Sequence, residues 1–210
     1  MAEVKSGEHT AQMVEEVIKR RRSCRRMVLS RIPDATLERL VEAGTWAPSG
    51  SNHQNIRFIL LKTPKRMALL GKLKAPKALV AKASAGILVL ADGDVPLKRG
   101  EEDIWRKLWP QNAAAAIQNI LLLATAMGLA SCWVSFLECM SGTRLTSGKA
   151  WRTLLPEYKI PLAMRVMGLV ALGQAEDHDD HGFPKGDEKH GGQLVVRRGV
   201  NSYLLRPERG

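Results

Sequence analysis

Residues 112–135, NAAAAIQNILLLATAMGLASCWVS, form an almost entirely apolar stretch in this chain of 210 residues. With the residues that follow, the stretch is long enough to span a bilayer. However, polar Gln118 and Asn119 interrupt it, Gly128 stands where a helix would stop, and the sequence has no second comparable segment. The pattern therefore predicts a buried helix over about 112–127 that leads into a buried strand, at the centre of a core or of a dimer interface, and no membrane span.

Helix-like and strand-like segments are interleaved on both sides of this stretch. Helices are predicted to begin near Thr10, Pro33, Thr63 and Thr143. Short apolar runs typical of strands lie at 57–62, 86–91, 131–136, 165–172 and 193–198. Because helices and strands do not alternate strictly, the order favours an α+β fold, with a mixed or antiparallel sheet wrapped by helices, over a doubly wound fold. The length predicts a single domain over residues 1–210.

The composition limits the class of protein and the kinds of site. Hydrophobic residues make up 45% of the chain and the formal net charge is +11, so anionic partners are favoured. The three cysteines, Cys24, Cys132 and Cys139, are too few and too irregularly spaced for a disulfide framework or a zinc site. No metal is therefore expected, and the setting is predicted to be reducing and cytoplasmic. The polar N-terminal residues predict no signal peptide.

Six of the eight residues from Lys19 to Arg26 are basic, and Ser23 stands among them. Forked guanidinium groups and a hydroxyl can together saturate the acceptor oxygens of a phosphate. Taken alone, the run is equally typical of a solvated helix end, or of binding to a nucleic acid or a membrane surface. The run alone therefore does not distinguish between these alternatives, and the other segments of the chain are needed to do so.

A second polar segment, Ala47-Pro48-Ser49-Gly50-Ser51-Asn52-His53-Gln54, has the composition of a tight loop. The backbone N–H groups of such a loop can point at a ligand, and the amides of Asn52 and Gln54 can both donate and accept hydrogen bonds. By itself the segment is typical of an ordinary polar loop.

Four segments, in this order and spacing, resemble the flavin-dependent nitroreductase family. They are Arg21-Arg22-Ser23-x-Arg25, Ala47-Pro48-Ser49-Gly50-x-Asn52-x-Gln54, the run from Ala116-Ile117-Gln118-Asn119 to Gly128-Leu129-Ala130-Ser131-Cys132-Trp133, and Gly168-Leu169-Val170-Ala171-Leu172-Gly173. The resemblance covers most of the chain. It implies a nitroreductase-like α+β fold, assembled as an intertwined homodimer that holds FMN at the subunit interface.

The resemblance also implies which residues bind FMN. The arginine–serine segment would grip the phosphate and the pyrimidine edge, the loop would reach the isoalloxazine of the other subunit, and the segment after the long helix would lie by the ring. A late basic residue, Lys189 or Lys185, would add to the phosphate site. The residues so implied are Arg21, Arg22, Ser23 and Arg25; Pro48, Ser49, Gly50, Asn52 and Gln54; Trp133, Val134 and Ser135; and Lys189.

Two departures from the family pattern concern the loop and the long helix. The pattern usually continues from Gln54 with Pro-Trp, whereas this chain has Asn55 and Ile56. An acidic residue is common at the head of the long helix, where this chain has Gln111. Neither position must carry a charge for flavin binding, so FMN remains the expected cofactor, while the loss of Pro-Trp leaves the substrate class open.

By resemblance, NADH or NADPH would deliver a hydride to the flavin, and a small acceptor such as a nitroaromatic or a quinone would then take the electrons. The flavin carries this chemistry, so no catalytic side chain is expected. A flavoprotein of the same fold with oxygen-dependent or dehalogenating chemistry is one alternative. A basic nucleic-acid-binding module is another, but the aromatic content of 5% and the lack of a recognisable reader motif count against it.

Overall fold

The structure is a computed structural model that describes residues 2–70, 77–92, 102–135, 158–161, 164–180, 182 and 184–185. The helices are α1 (Ala2–Arg20), α2 (Asp34–Thr45), α3 (Pro64–Leu70), α4 (Lys77–Lys82) and α5 (Glu102–Ala126). The strands are β1 (Met27–Val28), β2 (Ile56–Leu61), β3 (Ala85–Asp92), β4 (Leu129–Ser135) and β5 (Met164–Ala175), and a 3-10 turn spans Gly50–Asn52.

Strand β5 is the strand on which the sheet is built. It pairs antiparallel with β3 from Ala85↔Leu172 to Asp92↔Met164, and antiparallel with β4 from Leu129↔Gln174 to Ser135↔Gly168. The short β1 pairs with the end of β5, and β2 pairs with β3. Every pairing among the described strands is antiparallel, so helices and an antiparallel sheet confirm the predicted α+β class.

Strand alternation sends side chains into two cores, one on each face of the sheet. Ile87 and Val89 of β3 face the core formed with α2 and α5. Leu88 and Leu90 face the opposite core, which also receives Met67 of α3. The predicted strands at 57–62, 86–91, 131–136 and 165–172 therefore correspond to β2, β3, β4 and β5. The predicted helix from Thr143 and the strand at 193–198 lie outside the described residues.

Helix α5 and strand β4 account for the apolar stretch at residues 112–135. One face of α5 is buried, including Ala113, Ile117 and Ile120, while Gln118 on the opposite face is exposed. The helix ends at Ala126, two residues before Gly128, the predicted helix stop, which has a φ of +70° in the left-handed region. Among the described residues, none of the helices is long and apolar enough to cross a membrane.

Two helices are longer than the sequence predicted. Helix α1 begins at Ala2 rather than at Thr10, and α5 begins at Glu102 rather than near 112. The segment before residue 112 is polar, and Pro110 lies inside α5, so both features argued against a helix there. Helix α5 nevertheless runs through this segment, and Trp109 within it packs against the core on the α5 face of the sheet. Tertiary packing thus outweighs local sequence preference at this point.

Two glycine-to-alanine substitutions would test the packing of α2 against the sheet. A Cβ at Gly44 would lie 2.9 Å from Cζ of Phe58 and 3.0 Å from Cδ1 of Ile120, whereas a Cβ at Gly7 would meet no atom within 4 Å. Both substitutions gain up to about 1 kcal/mol of helix propensity. We expect Gly7→Ala to stabilise the protein, and Gly44→Ala to lower the free energy of unfolding by about 1–2 kcal/mol because it overpacks the site. Urea denaturation measures both, and equal effects would contradict the packing described.

Candidate functional site

The arginine–serine segment leaves α1 and runs alongside β4. Cys24 is buried, and its backbone N–H donates to the carbonyl of Ser131 at 2.9 Å. Arg21, Ser23 and Arg25 are half-buried on either side of it. Because Cys24 is fixed in the core, the polar residues next to it are held at the surface of β4 rather than on a free arm.

Asp179 and Lys185 lie against the same segment. The Cys24 thiol donates to the carbonyl of Lys185 at 3.3 Å, and Nη1 of Arg20 donates to Oδ2 of Asp179 at 2.5 Å. The amino group of Lys185 lies 3.2 Å from Oδ2 of Asp177. The late basic residue that the structure places beside the arginine segment is therefore Lys185, while Lys189 lies outside the described residues.

Several flanking cations of the run have local partners. Nζ of Lys19 donates to Glu15 at 2.6 Å, and this bond lowers the pKa of the Glu15 carboxyl. Arg20 pairs with Glu16 as well as with Asp179. Nη1 of Arg22, an exposed residue, donates to the carbonyls of Lys19 and Arg21 at 2.6 and 3.0 Å, and so satisfies acceptors at the end of α1.

Strand β4 presents Trp133 and Ser135 on one face and Val134 on the other. Trp133 is 39% exposed, whereas Val134 is 9% exposed and packs in the core that also holds Cys24. A contact from Val134 to a ligand on the Trp133 face would therefore come from its backbone.

Gly168 of β5 makes room for the indole of Trp133. A Cβ at Gly168 would lie 2.7 Å from Nε1 of Trp133, so a larger residue there would displace the ring. The buried hydroxyl of Ser131, on the same face of β4, has no hydrogen-bond partner among the described residues. Gly168 and Ser131 lie in segments that resemble the family, but the sequence did not predict either of them as a site residue. A glycine inside a predicted strand often marks a close approach of another group, and this could have indicated Gly168.

The loop from Pro48 to Gln54 has an unusual backbone. Ser51, Asn52 and Gln54 all have positive φ, at 46°, 55° and 51°, although none is glycine. The side-chain oxygen of Ser49 accepts from the N–H of Gln54 at 2.9 Å, and Nε2 of Gln54 donates to Oδ1 of Asn52 at 2.9 Å. Pro48, Asn52 and Gln54 are exposed, while Ser49 and Gly50 are half-buried. The two amides predicted to face a ligand are thus bonded to each other.

Two buried asparagines that were not predicted as site residues hold this loop. Oδ1 of Asn112 accepts from the N–H of Gly50 at 3.1 Å, and Nδ2 of Asn112 donates to Oδ1 of Asn55 at 3.1 Å. The carbonyl of Asn55 accepts from the N–H of Asp92 at the end of β3, at 2.8 Å. In the sequence, Asn112 could have been noticed as a polar residue at the start of the predicted apolar helix.

Of the three segments predicted to bind FMN, the arginine segment and the β4 residues lie together, while the loop lies elsewhere. The arginine segment and the β4 residues are joined by the bond between Cys24 and Ser131, whereas the loop is anchored to α5 and to the edge formed by β2 and β3. A cavity of about 390 Å³ at the start of α2 is lined by other residues, among them Arg31, Asp34 and Lys62. Within the described part of the chain, no cluster of acidic, histidine or cysteine residues is arranged to hold a metal ion.

Comparison with known proteins finds relatives that are named as nitroreductases. A protein of Archaeoglobus fulgidus named "Putative NADH dehydrogenase/NAD(P)H nitroreductase" is 30% identical over 182 residues, which is 87% of this chain and 95% of that protein. A similarly named protein of Methanothermobacter thermautotrophicus is 25% identical over 79% of this chain and 81% of its own length.

Solved structures show the same fold. A "putative nitroreductase in complex with fmn" from Desulfovibrio desulfuricans superposes with a TM-score of 0.68 at 26% identity, covering 94% of this chain and 98% of that one. An FMN-dependent nitroreductase of Clostridium difficile superposes with a TM-score of 0.63 at 22% identity, covering 87% and 98%. The model of the nitroreductase family itself matches residues 18–173, from the end of α1 to the end of the sheet. The chain belongs to the nitroreductase family.

Proposed function

We propose that this protein is an FMN-dependent oxidoreductase that passes a hydride from NADH or NADPH to a small acceptor such as a nitroaromatic or a quinone. The observation that carries the proposal is the bond from Cys24 to Ser131, which joins the arginine–serine segment to the strand that exposes Trp133. A segment rich in cationic donors therefore lies beside the strand that carries an exposed aromatic side chain, which supports binding of a phosphate next to a ring. The relative from Desulfovibrio desulfuricans, solved with FMN, supports the choice of cofactor.

The residues of the arginine segment fit a phosphate monoester. Such a group carries nearly two negative charges and three strong acceptor oxygens. Arg21, Ser23 and Arg25 supply forked cationic donors and a hydroxyl within five residues, and their half-burial strengthens each contact relative to a fully solvated site. Lys185 would add a further cation from the segment that packs on Cys24. Arg22 can contribute the donors that its contacts with the end of α1 leave over.

The face of β4 fits a flat aromatic ring. The indole of Trp133 lies close to Gly168, and the residue is 39% exposed. Ser135 lies on the same face, and the hydroxyl of Ser131 offers a buried group that can donate or accept. When bound, FMN would supply the hydride chemistry. The chain would bind the phosphate, orient the ring and place positive charge near it.

We also propose that the protein acts as a homodimer in which the loop Pro48–Gln54 reaches the site of the other subunit. Helix α1 carries an exposed apolar stripe, with Met13, Val14 and Ile18 exposed by 48%, 54% and 44%. Trp46, directly before the loop, is 80% exposed. Exposed apolar patches of this kind mark interaction surfaces. The cytoplasmic location stays a prediction of the sequence.

The cofactor assignment can be tested with one arginine and one lysine from the same basic run. Purified protein loaded with FMN and freed of excess should show flavin absorption bands. We expect Arg25→Gln to raise the dissociation constant for FMN by about 10- to 100-fold, because a charge-assisted hydrogen bond is lost. Lys19→Gln is the matched control, because Lys19 pairs with Glu15 and should leave FMN affinity unchanged. Fluorescence quenching of free FMN measures both.

A protein that stays colourless after incubation with FMN would overturn the cofactor assignment. Loss of binding in both variants, together with salt-sensitive retardation of DNA or RNA, would instead favour the nucleic-acid alternative, since binding driven by many phosphates falls steeply with salt. With FMN bound, turnover of NADH or NADPH with nitro and quinone acceptors tests the reaction itself.

The dimer can be tested by adding charge to opposite faces of α1. Ile18→Lys places a cation within the apolar stripe, whereas Gln12→Lys places one on the polar face, where Gln12 contacts Glu8. We expect the wild-type protein and Gln12→Lys to have twice the chain mass of 23.2 kDa. Ile18→Lys should shift towards the single-chain mass because the charge would have to be desolvated in the interface. Light scattering after gel filtration measures this, and a wild-type monomer would overturn the proposal.

A further inference from the structure

We propose that Asn112 and Asn55 form a buried amide pair that positions the loop Pro48–Gln54 for FMN binding, in place of the proline that usually follows Gln54 in the family pattern. The role in FMN binding rests on the proposed function above. The amide pair itself rests only on the contacts within this chain.

The loop needs an external support because its backbone is unfavourable. Three non-glycine residues, Ser51, Asn52 and Gln54, lie in the left-handed region, where a Cβ crowds the backbone. Such conformations persist only where surrounding contacts over-determine them. The bonds inside the loop include two backbone bonds, from Asn52 to Ser49 and from His53 to Gly50, and two bonds from Gln54, to Ser49 and to Asn52. All of them join residues that are exposed or half-buried, where water competes for the same groups.

The external support runs from Gly50 through two amides to the sheet. Gly50 N–H donates to Asn112, Asn112 donates to Asn55, and the Asn55 carbonyl accepts from Asp92 of β3. Asn112 is 5% exposed and Asn55 is fully buried, so water cannot replace these bonds without opening the structure. A second contact fixes the loop exit: Nη1 of Arg57 donates to the carbonyl of Gln54 at 2.8 Å, and Nη2 of Arg57 lies 3.3 Å from Asp92.

The orientation of the two amides follows from the donors available. A backbone N–H can only donate, so Asn112 must present its oxygen to Gly50 and its NH₂ group to Asn55. Asn55 then accepts with its side-chain oxygen, and its own buried Nδ2 has no partner among the described residues. A buried donor without an acceptor is destabilising. Because of this cost, the amide pair is better explained by its role in fixing the loop than by a contribution to the stability of the protein.

The pair also accounts for the departure from the family pattern. A proline after Gln54 would restrict the loop exit covalently, because its ring fixes φ and limits the residue before it. Here the same place is restricted by Asn55, which is hydrogen-bonded through both its side chain and its carbonyl. We infer that Asn112 and Asn55 are positioning residues, which act on FMN through the loop and do not contact the reacting atoms.

The test compares three substitutions on α5. Asn112→Ala removes the acceptor of Gly50. Asn112→Asp keeps an acceptor for Gly50 and offers a second oxygen to the unpartnered Nδ2 of Asn55 after its amide turns over. Asn119→Ala is the matched control, because Asn119 lies on the same helix and donates to the carbonyl of Ala43 at 3.1 Å, away from the loop.

Two readouts separate positioning from general stability. The first is hydrogen exchange at the Gly50 amide in the protein without FMN. The second is the FMN dissociation constant, measured with the visible circular dichroism of the bound flavin. We expect Asn112→Ala to speed Gly50 exchange about tenfold and to weaken FMN binding about tenfold. Asn112→Asp should restore both, and Asn119→Ala should change neither, even where it lowers the unfolding midpoint.

Unchanged Gly50 exchange in Asn112→Ala would overturn the amide pair as the support of the loop. Faster exchange with unchanged FMN affinity would overturn its role in binding while leaving the proposed function intact. Equal losses of FMN affinity in Asn112→Ala and Asn119→Ala would mean that the loss follows from lower protein stability. That result would overturn the positioning role of Asn112. If the wild-type protein binds no FMN, the proposed function fails, and the Gly50 exchange rates alone then decide whether the pair holds the loop.

Discussion

Pairing with β5 is the constraint on which the rest of the structure depends. Strands β1, β3 and β4 all pair with it, and residues 166–173 of β5 are buried without interruption. A strand covered on both faces and both edges has no freedom to slip, since a shift by one residue would exchange the two cores. The register of β4 therefore fixes which of its side chains face outwards. Because Cys24 bonds to Ser131, the same register also fixes where the arginine segment lies.

The candidate site has unfavourable backbone conformations, hydrogen bonding and exposure that the core does not have. The loop keeps three non-glycine residues with positive φ, Asn55 keeps a buried donor without a described partner, and Trp133 is exposed. Each feature is unfavourable taken alone, and such violations are expected where function outweighs stability. The core compensates: β3 and β5 bury nearly all their side chains against helices on both faces. The rigid sheet thus carries the loop and the exposed ring.

The sequence predicted the parts of the fold that hydrophobic pattern controls. The four central strands were found within about three residues of their ends, because apolar runs bounded by polar residues are distinctive. The early start of α5 was missed because Pro110 and polar neighbours argue against a helix, while the packing of Trp109 against the core does not show in the sequence. For the site, residue identities could be matched to family segments, but pairing between distant residues could not. Nothing in the sequence joins Asn112 to Asn55, since that contact depends on how α5 meets the edge of β2 and β3.

The structure limits the possible interpretations of the basic run from Lys19 to Arg26. A surface that binds a long polyanion needs many cations spread over solvent and free to meet successive phosphates. Here Lys19 and Arg20 are paired with acidic groups, and Arg22 is turned back onto the end of α1. Arg21, Ser23 and Arg25 are half-buried on either side of buried Cys24. Because several cations of the run are held by partners within the fold, the segment spreads fewer charges over solvent than its sequence suggests, and this agrees better with the proposed small anionic cofactor than with a nucleic acid.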